Sequence, residues 1–258
     1  RCCSSAASDV YKRQGKDNVP FHAIIWPAML LAYGDLNLPT NVPANQYILI
    51  KGEKASASRG VGKTLNDYLE EWNPDSLRYS LASILPEQND SEISEDEMIR
   101  RNNEELVAAW GNLVQRVFSQ YINNFDILDF EFELEEVDKK LMEEAEACFD
   151  NTGSLIEKVE LKASLQSIMA YVNKINAYLN QTEPWKVIKE DKKRATAILY
   201  SAITCIDASA TMFTPFMPTS SEKVLQAIQK ETDNNWSLNK IKKGAQIENI
   251  GHLFKKID

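Results

Sequence analysis

A loop rich in small and cationic residues follows a short apolar run and has the residue types needed to bind a polyphosphate. The run Tyr47 to Ile50 precedes a segment that contains Lys54, Ser56, Ser58 and Arg59. Glycine and serine let the backbone approach a ligand closely, and lysine and arginine supply mobile positive charge. These residues predict a nucleotide-binding loop, although a solvated turn can have the same composition.

The same segment also resembles a P-loop. The letters from Ala57 to Thr64 fit that motif except that alanine replaces the first glycine. A P-loop must follow a strand of a parallel sheet directly and must open a helix, with a second acidic residue for magnesium. Here the apolar run ends at Ile50, the next helix is stopped at Asn73-Pro74, and no strand–helix repeat is predicted after it. The sequence therefore disfavours a P-loop.

Helical periodicity describes most of the remaining chain. Apolar residues recur at helical spacing from Phe21 to Tyr33, which predicts a largely buried helix closed by Gly34. Two short helices are predicted at 64–72 and 76–85, the second capped by Asp75, and a polar linker follows at 86–92.

Five longer helical segments follow the linker and predict a bundle. Ser94 and Glu97 have the spacing of a capping box that opens a helix toward Asn123. The other four helices are predicted at 134–149, 155–179, 192–213 and 221–230, with prolines at the junctions. The fold class is therefore predicted to be mostly α.

Composition and charge restrict the classes of function. A chain of 258 residues with 43% apolar content can form one large or two ordinary domains. No apolar run reaches the roughly 18 residues of a membrane span, so no membrane partner is expected. A net charge of −9 predicts that any nucleic-acid contact is local. The four cysteines and two histidines have no zinc or disulfide spacing, which favours a reducing cytoplasm and predicts no metal site.

Three residues in the helical part have side chains suited to reading RNA bases. Asn112 and Arg116 are four apart and share one helix face, while Trp185 follows Pro184 and precedes the basic run Lys186 to Arg194. An amide, a guanidinium and an indole can hydrogen-bond and stack on the bases of single-stranded RNA. An ordinary polar helix face and a packed tryptophan would give the same sequence pattern, so the residues alone leave both a structural and an RNA-binding interpretation open.

Several motifs together resemble the C-terminal half of the methionyl-tRNA synthetase family. They are Gly15-Lys16-Asp17-Asn18-Val19-Pro20-Phe21-His22, Trp26-Pro27, the lysine–serine loop, and Asp75-Ser76-Leu77-Arg78-Tyr79. The resemblance runs from Gly15 to Asp258. It implies a C-terminal remnant of a Rossmann-type α/β catalytic domain followed by an all-helical anticodon-binding bundle. The expected division is a non-native or disordered leader at 1–14, the catalytic part at 15–93 and the anticodon-binding domain at 94–258.

The resemblance also implies roles for particular residues. The loop corresponds to the family's Lys-Met-Ser-Lys-Ser signature, so Lys54, Ser56 and Ser58 are expected to act on the ATP phosphates, and Arg59 to bind ATP. Alanine occupies position 57, where the family has its second lysine, and this departure leaves open how fast the loop supports activation.

The methionine pocket and the anticodon reader are assigned in the same way. Asn18 and His22 are expected to bind methionine. Asn112, Arg116 and Trp185 are expected to bind the anticodon.

The implied activity of the complete protein is that of a cytoplasmic methionine-tRNA ligase. It would join methionine to tRNA(Met), with ATP and Mg²⁺ as substrate, and this chain alone is expected to be inactive because the family's first nucleotide motif is missing. The family's zinc knuckle lies upstream, so no zinc is expected in this segment. Two alternatives are a catalytically silent RNA-binding paralogue and a related class I synthetase for a branched aliphatic amino acid.

Overall fold

The computed structural model describes residues 14–50, 52–54, 62–125, 132–228, 236, 238, 241 and 246–257. These residues form two compact units. The first comprises the described residues up to Thr64 together with Ile84–Ser94, and the second comprises Leu65–Ser83 and the described residues from Glu95 onward. Residues 65–83, which the sequence analysis groups with the catalytic part, therefore pack within the second unit.

The first unit contains short strands in two small sheets. The strands are β1 (Gln14–Gly15), β2 (Ala44–Asn45), β3 (Ile48–Ile50), β4 (Glu53–Lys54) and β5 (Ser91–Glu92). β1 and β2 pair in parallel. β3 lies between β4, to which it is antiparallel, and β5, to which it is parallel.

Strand β5 corrects the prediction of a polar linker at this position. Two backbone hydrogen bonds attach it to the chain around β3: Ser91 N donates to Tyr47 O at 3.0 Å, and Ile93 N donates to Leu49 O at 2.8 Å. A strand of two residues is too short to show the alternation of apolar and polar side chains that identifies strands in a sequence. Backbone pairing alone therefore forms this strand, and it gives the unit a parallel connection that the sequence did not predict.

The helix predicted from Phe21 to Tyr33 is present. A π-helical turn (Phe21–Ile25) leads directly into α1 (Trp26–Tyr33), and Gly34 closes the helix with φ +81°. The prediction that it is largely buried is wrong, because Ile24 and Leu31 are each 67% exposed. Helical spacing shows that apolar side chains share a face, but not that another element covers the face.

The second unit is helical, which confirms the mostly α fold class. Its segments are α2 (Leu65–Glu71), α3 (Pro74–Ser83), α4 (Glu95–Arg101), a π-helical segment (Asn102–Gly111), α5 (Asn112–Ile122), α6 (Glu136–Glu157), α7 (Leu161–Thr182), α8 (Pro184–Val187), α9 (Lys192–Phe213) and α10 (Pro218–Ala227). α4, the π-helical segment and α5 follow one another without a break. Helix α9 has the bounds predicted from the sequence.

Helix α9 forms the centre of the second unit. It packs against α6, α7 and α10, and its Phe213 ring lies 5.3 Å from the Trp110 ring, measured between centroids. Within the part of the chain that the structure describes, α9 is the one helix long and apolar enough to cross a membrane by composition. Its most apolar stretch is 83% buried inside the unit, as in the core helix of a bundle.

The Asp75 to Tyr79 motif fastens α3 to the corner between α9 and α10. The Asp75 carboxylate is 2% exposed and accepts hydrogen bonds from Ser220 N at 2.6 Å and Ser220 Oγ at 2.7 Å. Arg78 donates to the carbonyls of Pro215 and Phe216, both at 2.9 Å. The predicted role of Asp75 as a helix cap is wrong: Asn73 Oδ1 accepts from Asp75 N at 2.9 Å instead, which leaves the Asp75 carboxylate for Ser220.

Candidate functional site

The lysine–serine segment begins on a β-hairpin. Strands β3 and β4 pair Ile50 with Glu53 and Leu49 with Lys54, so the turn between them is tight. Gly52 in this turn has φ +77°, a conformation that residues with a side chain rarely adopt. Lys54 therefore lies on a strand, where pairing fixes its backbone, and not in an open loop as the sequence analysis expected.

The three other residues predicted to bind ATP belong to the chain between Lys54 and Gly62. Ser56, Ser58 and Arg59 lie outside the described residues, as does the side chain of Lys54. The chain is described again at Gly62, which has φ +106° and where a Cβ would lie 2.5 Å from Ile50 Cδ1. Gly62 packs on the end of β3 and Lys54 pairs beside it, so these two described residues both lie at this hairpin.

A polar network holds the Gly15 to His22 motif beside β3. The Lys16 ammonium lies 3.8 Å from the centre of the Tyr47 ring and 3.2 Å from Asp90 Oδ1, and the Tyr47 hydroxyl donates to Asp17. Tyr47 N donates to Asp90 Oδ1 at 2.8 Å. This backbone donor, with Lys16 as the second cause, holds the pKa of Asp90 below its usual value. The network fixes the segment that leads to Asn18.

The two residues predicted to bind methionine lie at the start of the α1 helix. Asn18 is exposed at the end of a 3-10 turn (Lys16–Asn18), and His22 is half-buried in the π-helical turn. Phe21 beside them is 57% exposed. An aromatic and apolar surface next to polar groups is the type of surface that suits a thioether side chain.

The three residues predicted to read an anticodon lie on the helical unit, and two of them are in contact. Asn112 and Arg116 are exposed on α5, one turn apart, and Trp185 on α8 is 37% exposed. The guanidinium carbon of Arg116 lies 5.8 Å from the centre of the Trp185 indole, which is within the range of a cation–π contact. The structure therefore brings together two residues that lie far apart in the sequence.

A fourth residue, which the sequence analysis missed, contacts Arg116. Asn176 Oδ1 accepts a hydrogen bond from Arg116 Nη2 at 3.2 Å, while Asn176 Nδ2 donates to Ala109 O and Val172 O, each at 3.2 Å. Asparagine is a poor helix former, and its presence in the middle of α7 was the available signal. That signal does not identify the partner, which lies on another helix.

Arg116 contributes a charged and partly desolvated guanidinium to this surface. Partial burial lowers the pKa of Arg116 from its ordinary value, but an arginine stays protonated at neutral pH. A cation placed beside an exposed indole can hydrogen-bond a base edge while the ring stacks on the base.

No metal centre is found in the part of the chain that the structure describes. Within those residues, no group of three or more His, Cys, Asp or Glu side chains comes close enough together to hold an ion.

Two family profiles match separate parts of this chain. The profile described as tRNA synthetases class I (M) matches residues 4–118. The profile described as the anticodon binding domain of methionyl tRNA ligase matches residues 131–258. Asn112 and Arg116 fall in the first matched region, and Trp185 falls in the second.

Curated relatives are similar over most of this chain. It is 39% identical over 226 residues to the methionine–tRNA ligase of Chloroflexus aurantiacus, a match that covers 81% of this chain and 38% of that protein. It is 37% identical over 252 residues to the methionine–tRNA ligase of Pyrococcus furiosus, covering 94% of this chain and 35% of that protein. The chain thus spans well under half the length of these relatives.

Solved structures of Mycobacterium tuberculosis methionyl-tRNA synthetase have the same fold. The apo form matches with a TM-score of 0.85 at 22% identity, covering 96% of this chain and 50% of that chain. The complex with methionyl-adenylate matches with a TM-score of 0.86 at 25% identity, covering 95% of this chain and 49% of that chain. Sequence profiles, curated relatives and fold agree, and the chain therefore belongs to the methionyl-tRNA synthetase family.

Proposed function

We propose that this chain supplies the triphosphate-binding hairpin, part of the methionine pocket and the anticodon reader of a methionine–tRNA ligase. The observation that carries the proposal is the contact between Arg116 and Trp185. The family resemblance implies that both residues bind the anticodon, and the contact between them supports a shared role.

The complete enzyme would catalyse two group transfers. The methionine carboxylate attacks the α-phosphorus of ATP, which enters as its Mg²⁺ complex, and pyrophosphate leaves. The terminal ribose hydroxyl of tRNA(Met) then attacks the carbonyl carbon of the adenylate, and AMP leaves. Both steps depend on positioning and on stabilising charge at the phosphates, because the enzyme forms no covalent bond to the substrate.

The hairpin residues would act on the first step. Lys54, Ser56, Ser58 and Arg59 are proposed to bind the triphosphate, and strand pairing fixes the backbone of Lys54 where the segment begins. A lysine held beside the phosphates neutralises charge that shifts to the leaving pyrophosphate. Asn18 and His22 are proposed to bind methionine, His22 from the half-buried first turn of the helix.

The helical surface would act by selecting the tRNA. An anticodon base would stack on the Trp185 ring, while Arg116 and the Asn112 amide hydrogen-bond base edges. The proposed place of action is the cytoplasm, and no membrane partner is proposed. The relatives described above are methionine–tRNA ligases, so neither a silent RNA-binding paralogue nor a synthetase for a branched aliphatic amino acid is favoured.

Titration of the chain with an anticodon stem-loop of tRNA(Met) tests this proposal. Removing the Trp185 ring in Trp185→Ala is expected to weaken binding by about 1–3 kcal/mol, the contribution of stacking one base. Trp236→Ala is the matched control: Trp236 is 40% exposed, close to the 37% of Trp185, but it stacks on Phe149, with centroids 4.6 Å apart. Equal binding by Trp185→Ala and the parent chain would contradict the proposal.

A further inference from the structure

We propose that Asn176 is a positioning residue for anticodon recognition, because it orients the Arg116 guanidinium through a hydrogen bond to Arg116 Nη2. This inference rests on the proposed function, since it concerns the surface proposed to bind the anticodon. Asn176 acts through Arg116, and its other two hydrogen bonds fix its own side-chain amide.

The hydrogen-bond partners of Asn176 determine the orientation of its side-chain amide. Its oxygen can only accept and faces a guanidinium, which can only donate. Its nitrogen can only donate and faces two carbonyls, Ala109 O and Val172 O, each at 3.2 Å. Neither a carboxylate nor an aliphatic side chain offers both functions, so an amide is required at this position.

The three hydrogen bonds tie α7 to the Arg116 side chain on α5 and to the π-helical segment that leads into α5. Val172 lies one turn earlier on α7, so this bond holds the Asn176 side chain against its own helix. Ala109 lies in the π-helical segment that ends at Gly111, directly before Asn112. Asn176 therefore holds the backbone before Asn112 and the side chain of Arg116 with the same amide.

These contacts restrict the orientation of the Arg116 guanidinium plane, and this orientation matters for recognising a base. Arg116 contacts Asn176 with one nitrogen and lies beside the Trp185 ring. A guanidinium has five N–H donors in a fixed planar arrangement, so a hydrogen bond from one of them restricts the directions of the others. Donors with fixed directions distinguish base edges better than a mobile cation, which binds any phosphate or base. Asn176 is thus expected to affect discrimination between anticodons as well as affinity.

A double-mutant cycle with Arg116 tests the inference. Asn176→Ala is expected to weaken binding of the tRNA(Met) anticodon stem-loop by about three- to tenfold, the net effect of losing a hydrogen bond. It is also expected to reduce the preference over a stem-loop with one anticodon base changed. In the Arg116→Ala background, the same substitution is expected to have no further effect, because the guanidinium it orients is gone.

Two further variants make the cycle decisive. Asn151→Ala is the matched control, since Asn151 lies on α6 and its Nδ2 donates to Ser167 Oγ at 3.0 Å, and it should leave binding unchanged. Asn176→Ser replaces the alanine variant if that variant does not fold: its hydroxyl can bond the carbonyl of Val172 in its own helix but is too short to reach Arg116.

Each outcome separates the inference from the proposed function. Loss of affinity and preference only when Arg116 is present supports the inference. An equal loss in both backgrounds shows a purely structural role and overturns it. No loss in Asn176→Ala, together with a loss in Arg116→Ala, also overturns it but leaves the proposed function standing. No loss in either Arg116→Ala or Trp185→Ala overturns the proposed function itself.

Discussion

Arg116 is held on two sides, by the Asn176 amide at 3.2 Å and by the Trp185 ring at 5.8 Å. The family resemblance assigned Arg116 and Trp185 to one task, whereas the residues alone also fit an ordinary polar helix face and a packed tryptophan. The sequence did not predict Asn176, because the identity of a polar residue within a helix does not show whether it faces solvent or another helix. At the scale of single residues, the side chains expected to contact a base could be predicted from the sequence. The side chain that orients one of them could not.

Lys54 provides a residue-scale prediction for the hairpin. In an enzyme of the full length of the relatives, Lys54→Ala is expected to slow adenylate formation more than about tenfold, because one preorganised charge near the phosphates is lost. Rapid-quench measurement of methionyl-adenylate checks this. Lys223→Ala, which changes an exposed lysine of α10, serves as the control. A rate unaffected by Lys54→Ala would show that the hairpin does not hold the phosphates.

Position 57 gives a second prediction for the same segment. Ala57→Lys restores the second lysine of the family signature and is expected to raise the rate of adenylate formation by less than about a hundredfold. The gain is limited because Lys51, Lys54, Arg59 and Lys63 lie nearby in the sequence and can supply part of the charge. The same rapid-quench assay measures the effect, and a gain well above a hundredfold would show that these neighbours do not compensate.

At the scale of elements, packing decides where helices continue. The sequence predicted a break between 149 and 155, but α6 runs on to Glu157. Thr152 is fully buried there, and Gly153 leaves room for Trp236, whose Nε1 lies 3.0 Å from the position of a Cβ on that glycine. Tertiary contacts thus override the weak helix propensity of threonine and glycine. α9, by contrast, has a continuous apolar pattern, and its bounds were predicted correctly.

Gly153→Val tests this account of α6. The added side chain must displace the Trp236 indole, and the free energy of unfolding is expected to fall by about 1–3 kcal/mol. Urea denaturation monitored by circular dichroism measures the change. In the Trp236→Ala background the loss should become much smaller, since the displaced ring is absent. An undiminished loss in that background would mean that helix propensity, and not the contact with Trp236, determines the effect.

At the scale of the whole second unit, a buried ion pair joins three helices. Asp138 on α6 is fully buried and accepts hydrogen bonds from Tyr178 on α7 and from Arg194 on α9, whose Nη2 lies 3.0 Å from Asp138 Oδ1. Burial alone would raise the pKa of Asp138, but the donors from Arg194, Tyr178 and Glu135 N outweigh it, and the pKa lies below its ordinary value. The sequence showed only an acidic run here, in which Asp138 does not differ from its exposed neighbours.

The lowered pKa of Asp138 predicts how stability depends on pH. Since the carboxyl loses its proton more readily in the folded chain, its stabilisation is complete above the ordinary pKa of 3.8 and disappears as the pH falls through the lowered value. Asp138→Ala is expected to cost about 3–5 kcal/mol at pH 7, because Arg194 and Tyr178 lose their buried acceptor and, among the described residues, Arg194 keeps only the more exposed Glu135 as an ion-pair partner. Urea denaturation at pH 7 and at successively lower pH checks both statements.

An exposed ion pair on the same helix provides the control for Asp138. Glu144 Oε2 lies 2.8 Å from Lys174 Nζ, and both side chains are partly exposed. Glu144→Ala is expected to cost less than about 1 kcal/mol, as is usual for surface pairs. Equal costs for the two substitutions would contradict the view that the buried network holds the three helices together.

Exchanging anticodons between two tRNAs tests the central claim, that the helical unit reads the methionine anticodon, most directly. One transcript is tRNA(Met) with a foreign anticodon, and the other is an unrelated tRNA that carries the methionine anticodon. Filter binding of this chain to both, at fixed salt concentration, is predicted to follow the anticodon: the second transcript should bind more tightly than the first, and Trp185→Ala should reduce the difference. Binding that follows the tRNA body, with no gain from the transplanted anticodon, would contradict the account.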